Sequence, residues 1–144
     1  MTIYGVSFDL AGKQPIVLLK TSDGNRYLPI WIGHPEAAAI LMKLQGQPAP
    51  RPLTHDLLVN ILGELDVEVV RVTVTELREN TFHASITVAQ NGAELEIDSR
   101  SSDAIAVAVR ALFVGHFAVD FYGVALAFVA VFVLLGRALL RYRM

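Results

Sequence analysis

Phe82-His83-Ala84-Ser85-Ile86-Thr87-Val88-Ala89-Gln90-Asn91-Gly92-Ala93-Glu94-Leu95-Glu96-Ile97-Asp98 is the stretch that decides the fold class. Phe82, Ala84, Ile86 and Val88 fall on alternate positions, as do Leu95 and Ile97. A period of two marks one face of a half-buried strand. Asn91-Gly92 between the two runs accepts successive positive φ angles, so it predicts a two-residue type I′ turn and a β-hairpin. His83 falls on the opposite face and is expected in solvent. After the hairpin, Ser101-Ser102-Asp103 predicts the start of a helix whose apolar face holds Ile105, Ala108, Val109 and Leu112. Before it, Val67–Leu77 is rich in β-branched residues and predicts a long strand. Its Val67/Val69 and Val70/Val72/Val74 sets are out of phase, which predicts a bulge near Val69-Val70.

The N-terminal half shows the same punctuation. Ile3–Asp9, Pro15–Lys20 and Arg26–Ile32 read as strands, with Ser22-Asp23-Gly24-Asn25 as a turn and Trp31 expected in the core. His34-Pro35-Glu36 predicts a helix start and Gly46 its end. Pro48, Pro50 and Pro52 make a short rigid connection. Thr54 is expected to cap a second helix, whose Leu57, Leu58, Ile61, Leu62 and Leu65 form one apolar face. The order βββ-α-α-βββ-α predicts an α+β fold: a mixed or antiparallel sheet with hairpins, packed by three helices.

Composition divides the chain. It has 144 residues, enough for one domain, and no cysteine, which excludes disulfides, a thiolate nucleophile and cysteine-ligated zinc. Residues 1–110 carry nine Lys and Arg against thirteen Asp and Glu, so no broad basic surface announces nucleic acid. No groove mixing aromatic and basic residues, of the kind single-strand binders use, is evident either. Mean hydropathy is +0.48, and the excess sits at the C-terminal end. The reading is a domain over residues 1–112 and an apolar segment over 113–144. Phe121–Gly136 has no charge, and extension to Leu140 adds only Arg137. Twenty helical residues span about 30 Å, so an apolar C-terminal helix crossing a membrane through residues 119–140 is expected. The alternative is a helix packed into the core or an oligomer interface. Met1–Val6 has no basic leader region, and Lys13 and Lys20 interrupt any apolar run, so the domain is expected in the cytoplasm.

The chain carries none of the Gly-rich, Gly-x-Ser-x-Gly or His-Glu-x-x-His fingerprints. Three polar groups stand at predicted helix starts instead: His34 and Glu36; Arg51, His55 and Asp56; and Asp98, Arg100, Ser102 and Asp103. Helix N-termini present free N–H groups and a positive dipole end, which suits phosphate. Arg51 and Arg100 offer bidentate phosphate contacts, and the carboxylates offer oxygen ligands to Mg²⁺ or Mn²⁺. A metal so held activates water, and His34 or His55 serves as general acid or base. The structural alternatives are capping for His34, Glu36, His55, Asp56 and Asp103, and ion pairing for Arg100.

These residues sit in longer motifs. Tyr27-Leu28-Pro29-Ile30-Trp31-Ile32-Gly33, Glu36-Ala37-Ala38-Ala39-Ile40, Arg51-Pro52-Leu53-Thr54-His55-Asp56-Leu57 and Asp103-Ala104-Ile105-Ala106 resemble, in order and spacing, the bifunctional nuclease domain family. Gln14-Pro15-Ile16-Val17-Leu18-Leu19 fits the same pattern, so the resemblance covers roughly residues 1–112. It implies an α+β domain that self-associates and cleaves DNA and RNA. Carried over position by position, Glu36, Arg51, His55, Asp56, Arg100, Ser102 and Asp103 match the family's polar motif positions; with the chemistry read above, Glu36, His55, Asp56 and Asp103 are expected to be catalytic, Glu36 and Asp56 toward a divalent metal. Arg51, Arg100 and Ser102 are expected to bind substrate. The family's Arg-Pro-Ser-Asp is Arg100-Ser101-Ser102-Asp103 here. The family's short apolar strand and terminal helix after the third helix have no counterpart pattern in Ala111–Met144. The competing expectation is a non-catalytic module, membrane-tethered, that binds an anionic ligand or a protein.

Overall fold

The computed structural model describes residues 1–8, 13–112 and 118–120. Along them run β1 (Thr2–Phe8), β2 (Pro15–Lys20), β3 (Tyr27–Trp31), α1 (His34–Leu44), α2 (Thr54–Glu64), β4 (Glu68–Arg78), β5 (Thr81–Gln90), β6 (Ala93–Arg100), α3 (Ser101–Ala111) and β7 (Ala118–Asp120). The fold is α+β, with two sheets rather than one. β1-β2-β3 is an antiparallel meander; β6-β5-β4-β7 is mixed, because β7 lies parallel to β4 through Thr73↔Ala118 and Val74↔Val119. The strand β7 corrects the reading that nothing sheet-like follows α3. Three residues are too few to show an alternation, and backbone pairing does not require one.

The hairpin forms as its residues dictate. Asn91 has φ 52° and Gly92 φ 80°, and the register runs from Gln90↔Ala93 to His83↔Arg100 without a break. β4 slips register between Val69 and Arg71. The bulge returns both Val69 and Val72 to the buried face and leaves Val70 outside, which resolves the phase conflict in the sequence. A further slip between Val74 and Glu76 had no sequence signal.

One continuous core joins both sheets. Val17, Leu19, Leu28 and Ile30 come from the first, Val72, Val74, Ala84, Ile86 and Val88 from the second, and Ala37, Ile40, Ala104, Ile105, Val107 and Ala108 from α1 and α3. Each fully buried aliphatic side chain contributes about 1.5–3 kcal/mol. α1 ends in a Schellman motif: Gln47 N–H donates to Met42 O at 2.9 Å, Gly46 N–H donates to Lys43 O at 3.1 Å, and Gly46 takes φ 65°.

Four expectations need correction. Leu53, not Thr54, is the N-cap of α2, and the Asp56 carboxylate accepts its N–H at 2.9 Å. Arg100 is the N-cap of α3, so Ser101 and Ser102 lie buried in the first turn instead of capping it. Leu57, Leu58, Ile61 and Leu65 are exposed, because α2 packs on α3 through Val59 and Leu62. Trp31 is 42% exposed, since Leu28 and Ile30 take the inward positions of β3 and alternation turns Tyr27 and Trp31 outward.

Among the described residues no helix is long and apolar enough to cross a membrane. Of the expected span over 119–140, residues 119 and 120 belong to β7, and the rest, with the expected C-terminal helix, lies outside the described residues.

Candidate functional site

The first turns of the three helices are brought together by side chains distant in sequence. Arg100 closes β6 and immediately precedes α3, so its side chain leaves the sheet edge above the start of that helix. Its guanidinium grips Asp103 with two bonds, Nε to Oδ2 at 2.6 Å and Nη2 to Oδ1 at 3.0 Å. The same Nη2 donates to Glu36 Oε1 of α1 at 3.0 Å. Asp103 Oδ1 also meets His55 Nε2 of α2 at 3.0 Å. Glu36, His55, Arg100 and Asp103 thus form one connected network across three chain segments. A carboxylate partner favours the tautomer with the proton on Nε2, which leaves Nδ1 with the lone pair.

Charges follow the geometry. Burial pushes the Asp103 carboxyl up, but hydrogen bonds from Arg100 and His55 and the charge of Arg100 outweigh it, so its pKa lies below the ordinary aspartate value. The hydrogen bond to Asp103, its charge and the bond to Glu36 raise the Arg100 pKa further. Glu36, Arg100 and Asp103 together carry −1. The three helix N-termini, each equivalent to roughly +0.5 of a charge, offset this. Gly33 leaves room for the arrangement: a Cβ there would overlap the Glu36 carboxylate folded back over it.

A cleft of about 630 Å³ opens on this network, lined by Pro35, Glu36, Met42, Leu53, His55 and Arg100. A second cleft of about 630 Å³ shares Arg100 and adds Gly33 and Ser102, the latter a predicted substrate contact. The Arg100 side chain is 66% exposed and stays accessible from both.

Asp56 belongs elsewhere. One of its oxygens caps α2; the other accepts Arg110 Nε at 2.6 Å. Arg110 is 4% exposed and also donates to Ala106 O at 2.9 Å and Ala39 O at 3.0 Å. It therefore ties α1, α2 and α3 together from the inside. Burial raises the Asp56 pKa, and the Leu53 N–H and Arg110 overcome this, so the net direction is down. Arg51 is exposed and lines a smaller cavity of about 290 Å³ together with Asp56 and Arg110. The sequence signal for Arg110 is a lone arginine on a helix that is otherwise apolar from Ala104 to Ala111.

The donors do not fit the expected metal site. Glu36 is paired with Arg100, while both oxygens of Asp56 are engaged by Leu53 and Arg110. Among the described residues no three His, Asp or Glu side chains are arranged to hold a metal ion.

Comparison with known proteins bears on the same segments. A family model described as the bifunctional nuclease domain matches residues 17–114, well over half of the chain. Two uncharacterized proteins of Mycobacterium tuberculosis, MT1877 of strain CDC 1551 / Oshkosh and Rv1829 of strain ATCC 25618 / H37Rv, are each 40% identical over 108 residues. That match covers 75% of this chain and 64% of each relative, just under two thirds of their length. The matched span contains all four residues of the network and the helices that position them: the chain belongs to the bifunctional nuclease domain family.

Proposed function

We propose that the domain hydrolyses phosphodiester bonds of DNA and RNA at the cleft where Glu36, His55, Arg100 and Asp103 meet. The observation that carries this reading is the convergence of those side chains from three helix starts. The exposed Arg100 guanidinium binds the phosphate through Nη1, the nitrogen that Asp103 and Glu36 do not engage, with help from the nearby helix N-termini. Glu36 and Asp103 hold the guanidinium in place before substrate arrives. His55 takes a proton from the attacking water as its oxygen bonds to phosphorus and the bond to the leaving sugar oxygen breaks. The leaving oxygen is protonated from solvent. Asp103 orients the ring and stabilises the imidazolium. Self-association belongs to the same reading and is checked by light scattering.

The test is cleavage of end-labelled DNA and RNA oligonucleotides by the wild type, His55→Ala and Asp103→Asn, with Mg²⁺, with Mn²⁺ and with chelator. Cleavage falling at least about 100-fold in His55→Ala is expected for loss of a general base. Equal cleavage by all three proteins refutes the assignment. Saturable binding of nucleic acid without turnover by the wild type favours a non-catalytic module for anionic ligands.

A further inference from the structure

We propose that the outer face of the β1-β2-β3 sheet is a track for single-stranded nucleic acid, with an unpaired base stacked on Trp31 beside Arg100. This deepens the nuclease reading and rests on it for the identity of the ligand. Trp31 is 42% exposed on the wall of the second cleft, which also holds Gln14, Asn80, Phe82 and Arg100. A volume of about 630 Å³ is in the range of small-ligand sites. The cleft pairs an aromatic plane with a guanidinium, and Gln14 and Asn80 supply amides that both donate and accept hydrogen bonds to base edges.

A second platform stands on the same face. Tyr27 lies four residues before Trp31 on β3, about 13 Å along the strand. Its ring meets exposed Tyr4 edge-on at 5.2 Å, and Lys20 Nζ sits 5.4 Å from the Tyr4 ring and 5.6 Å from that of Tyr27. Two exposed aromatic platforms therefore stand on β3, Tyr27 with Lys20 beside it and Trp31 in the cleft that Arg100 also lines, separated by the buried Pro29. Residues 1–33 carry Lys13, Lys20 and Arg26 against Asp9 and Asp23, whereas the remainder of the chain is net acidic. Stacking reads the face of a base and ignores the 2′-hydroxyl, so one track serves DNA and RNA alike. In a duplex those faces are covered, so the ligand is single-stranded.

Trp31 is the only tryptophan of the chain, so its emission reports directly on the cleft. Full-length His55→Ala protein, which suppresses turnover, is titrated with short oligothymidylate, with an abasic oligonucleotide of equal length and with a duplex. Saturable quenching by oligothymidylate is expected. Binding of the abasic strand and the duplex should be about 10-fold weaker, and Tyr27→Ala should weaken the oligothymidylate by a similar factor. Equal affinity for abasic and base-bearing strands overturns the proposal, because backbone charge then accounts for binding. Nucleic acid binding that leaves Trp31 emission unchanged overturns it too. So does an emission shift that follows protein concentration and ignores nucleic acid, which means that a second copy covers the face. Wild-type cleavage is scored separately: quenching without cleavage refutes the nuclease reading alone, and cleavage without quenching refutes the track alone.

Discussion

Replacing Asp56 with alanine removes a helix cap and the only carboxylate that faces Arg110 in the described structure. The cap is worth about 1 kcal/mol. A fully buried pair that loses one partner costs about 3–5 kcal/mol, because a charge stays behind without its counter-ion. Arg110 is 4% exposed, but the Asp56 side chain is 29% exposed, so water screens part of the loss and about 2 kcal/mol is the better figure. Together these predict about 3 kcal/mol, or a Tm roughly 10 °C lower for a chain of this size. Thermal unfolding followed by far-UV circular dichroism measures it. Arg110→Met added to Asp56→Ala should recover part of the lost Tm, since no charge is then stranded. Below the Tm, cleavage by Asp56→Ala should stay within about threefold of wild type. A Tm within a few degrees of wild type, combined with abolished cleavage, would refute the reasoning and return Asp56 to the chemistry.

Three further outcomes follow from the same coordinates. Asp56 and Asp103 both have folded pKa values below the ordinary one, so the unfolded chain binds more protons. Their stabilisation is complete above about pH 5 and is lost as pH falls through roughly 3.9 toward the folded values; denaturant midpoints measured across that window should decline, and a flat profile contradicts it. Gly46→Ala places a side chain at φ 65° in the Schellman turn and should cost about 1 kcal/mol, read from urea unfolding; an unchanged midpoint would show that the turn relaxes freely. Ile105→Ala empties a fully buried site of α3 and should cost about 2–5 kcal/mol with the m-value unchanged.

Local chemistry was readable and tertiary choice was not. The Asn91-Gly92 hairpin, the Gly46 stop and the Val69-Val70 bulge all follow from φ preference or alternation within a few residues. The face that an amphipathic element buries depends on what lies opposite. Leu57, Leu58, Ile61 and Leu65 are spaced for a core that α3 does not present to them, and Trp31 loses the inward side of β3 to Leu28 and Ile30. In the site, the residue types at the helix starts were legible, but their partners were not. Asp56 and Arg110 are 54 positions apart, and Arg100 and Glu36 are 64 apart. Glu36 and Asp56 look equivalent along the chain, each an acid in a first helical turn, and the fold sends them to different arginines.

Arg100 is the last residue of β6, and the turn at the far end of that strand has no slack. Eight residues of strand separate them by about 26 Å, and in a pleated ladder the side on which a residue emerges depends on parity. A one-residue slip of β6 against β5 would swing Arg100 to the opposite surface and empty both hollows that share it, without altering any residue near them. The tight Asn91-Gly92 turn opposes such a slip, so the face on which Arg100 emerges is set at the other end of its strand.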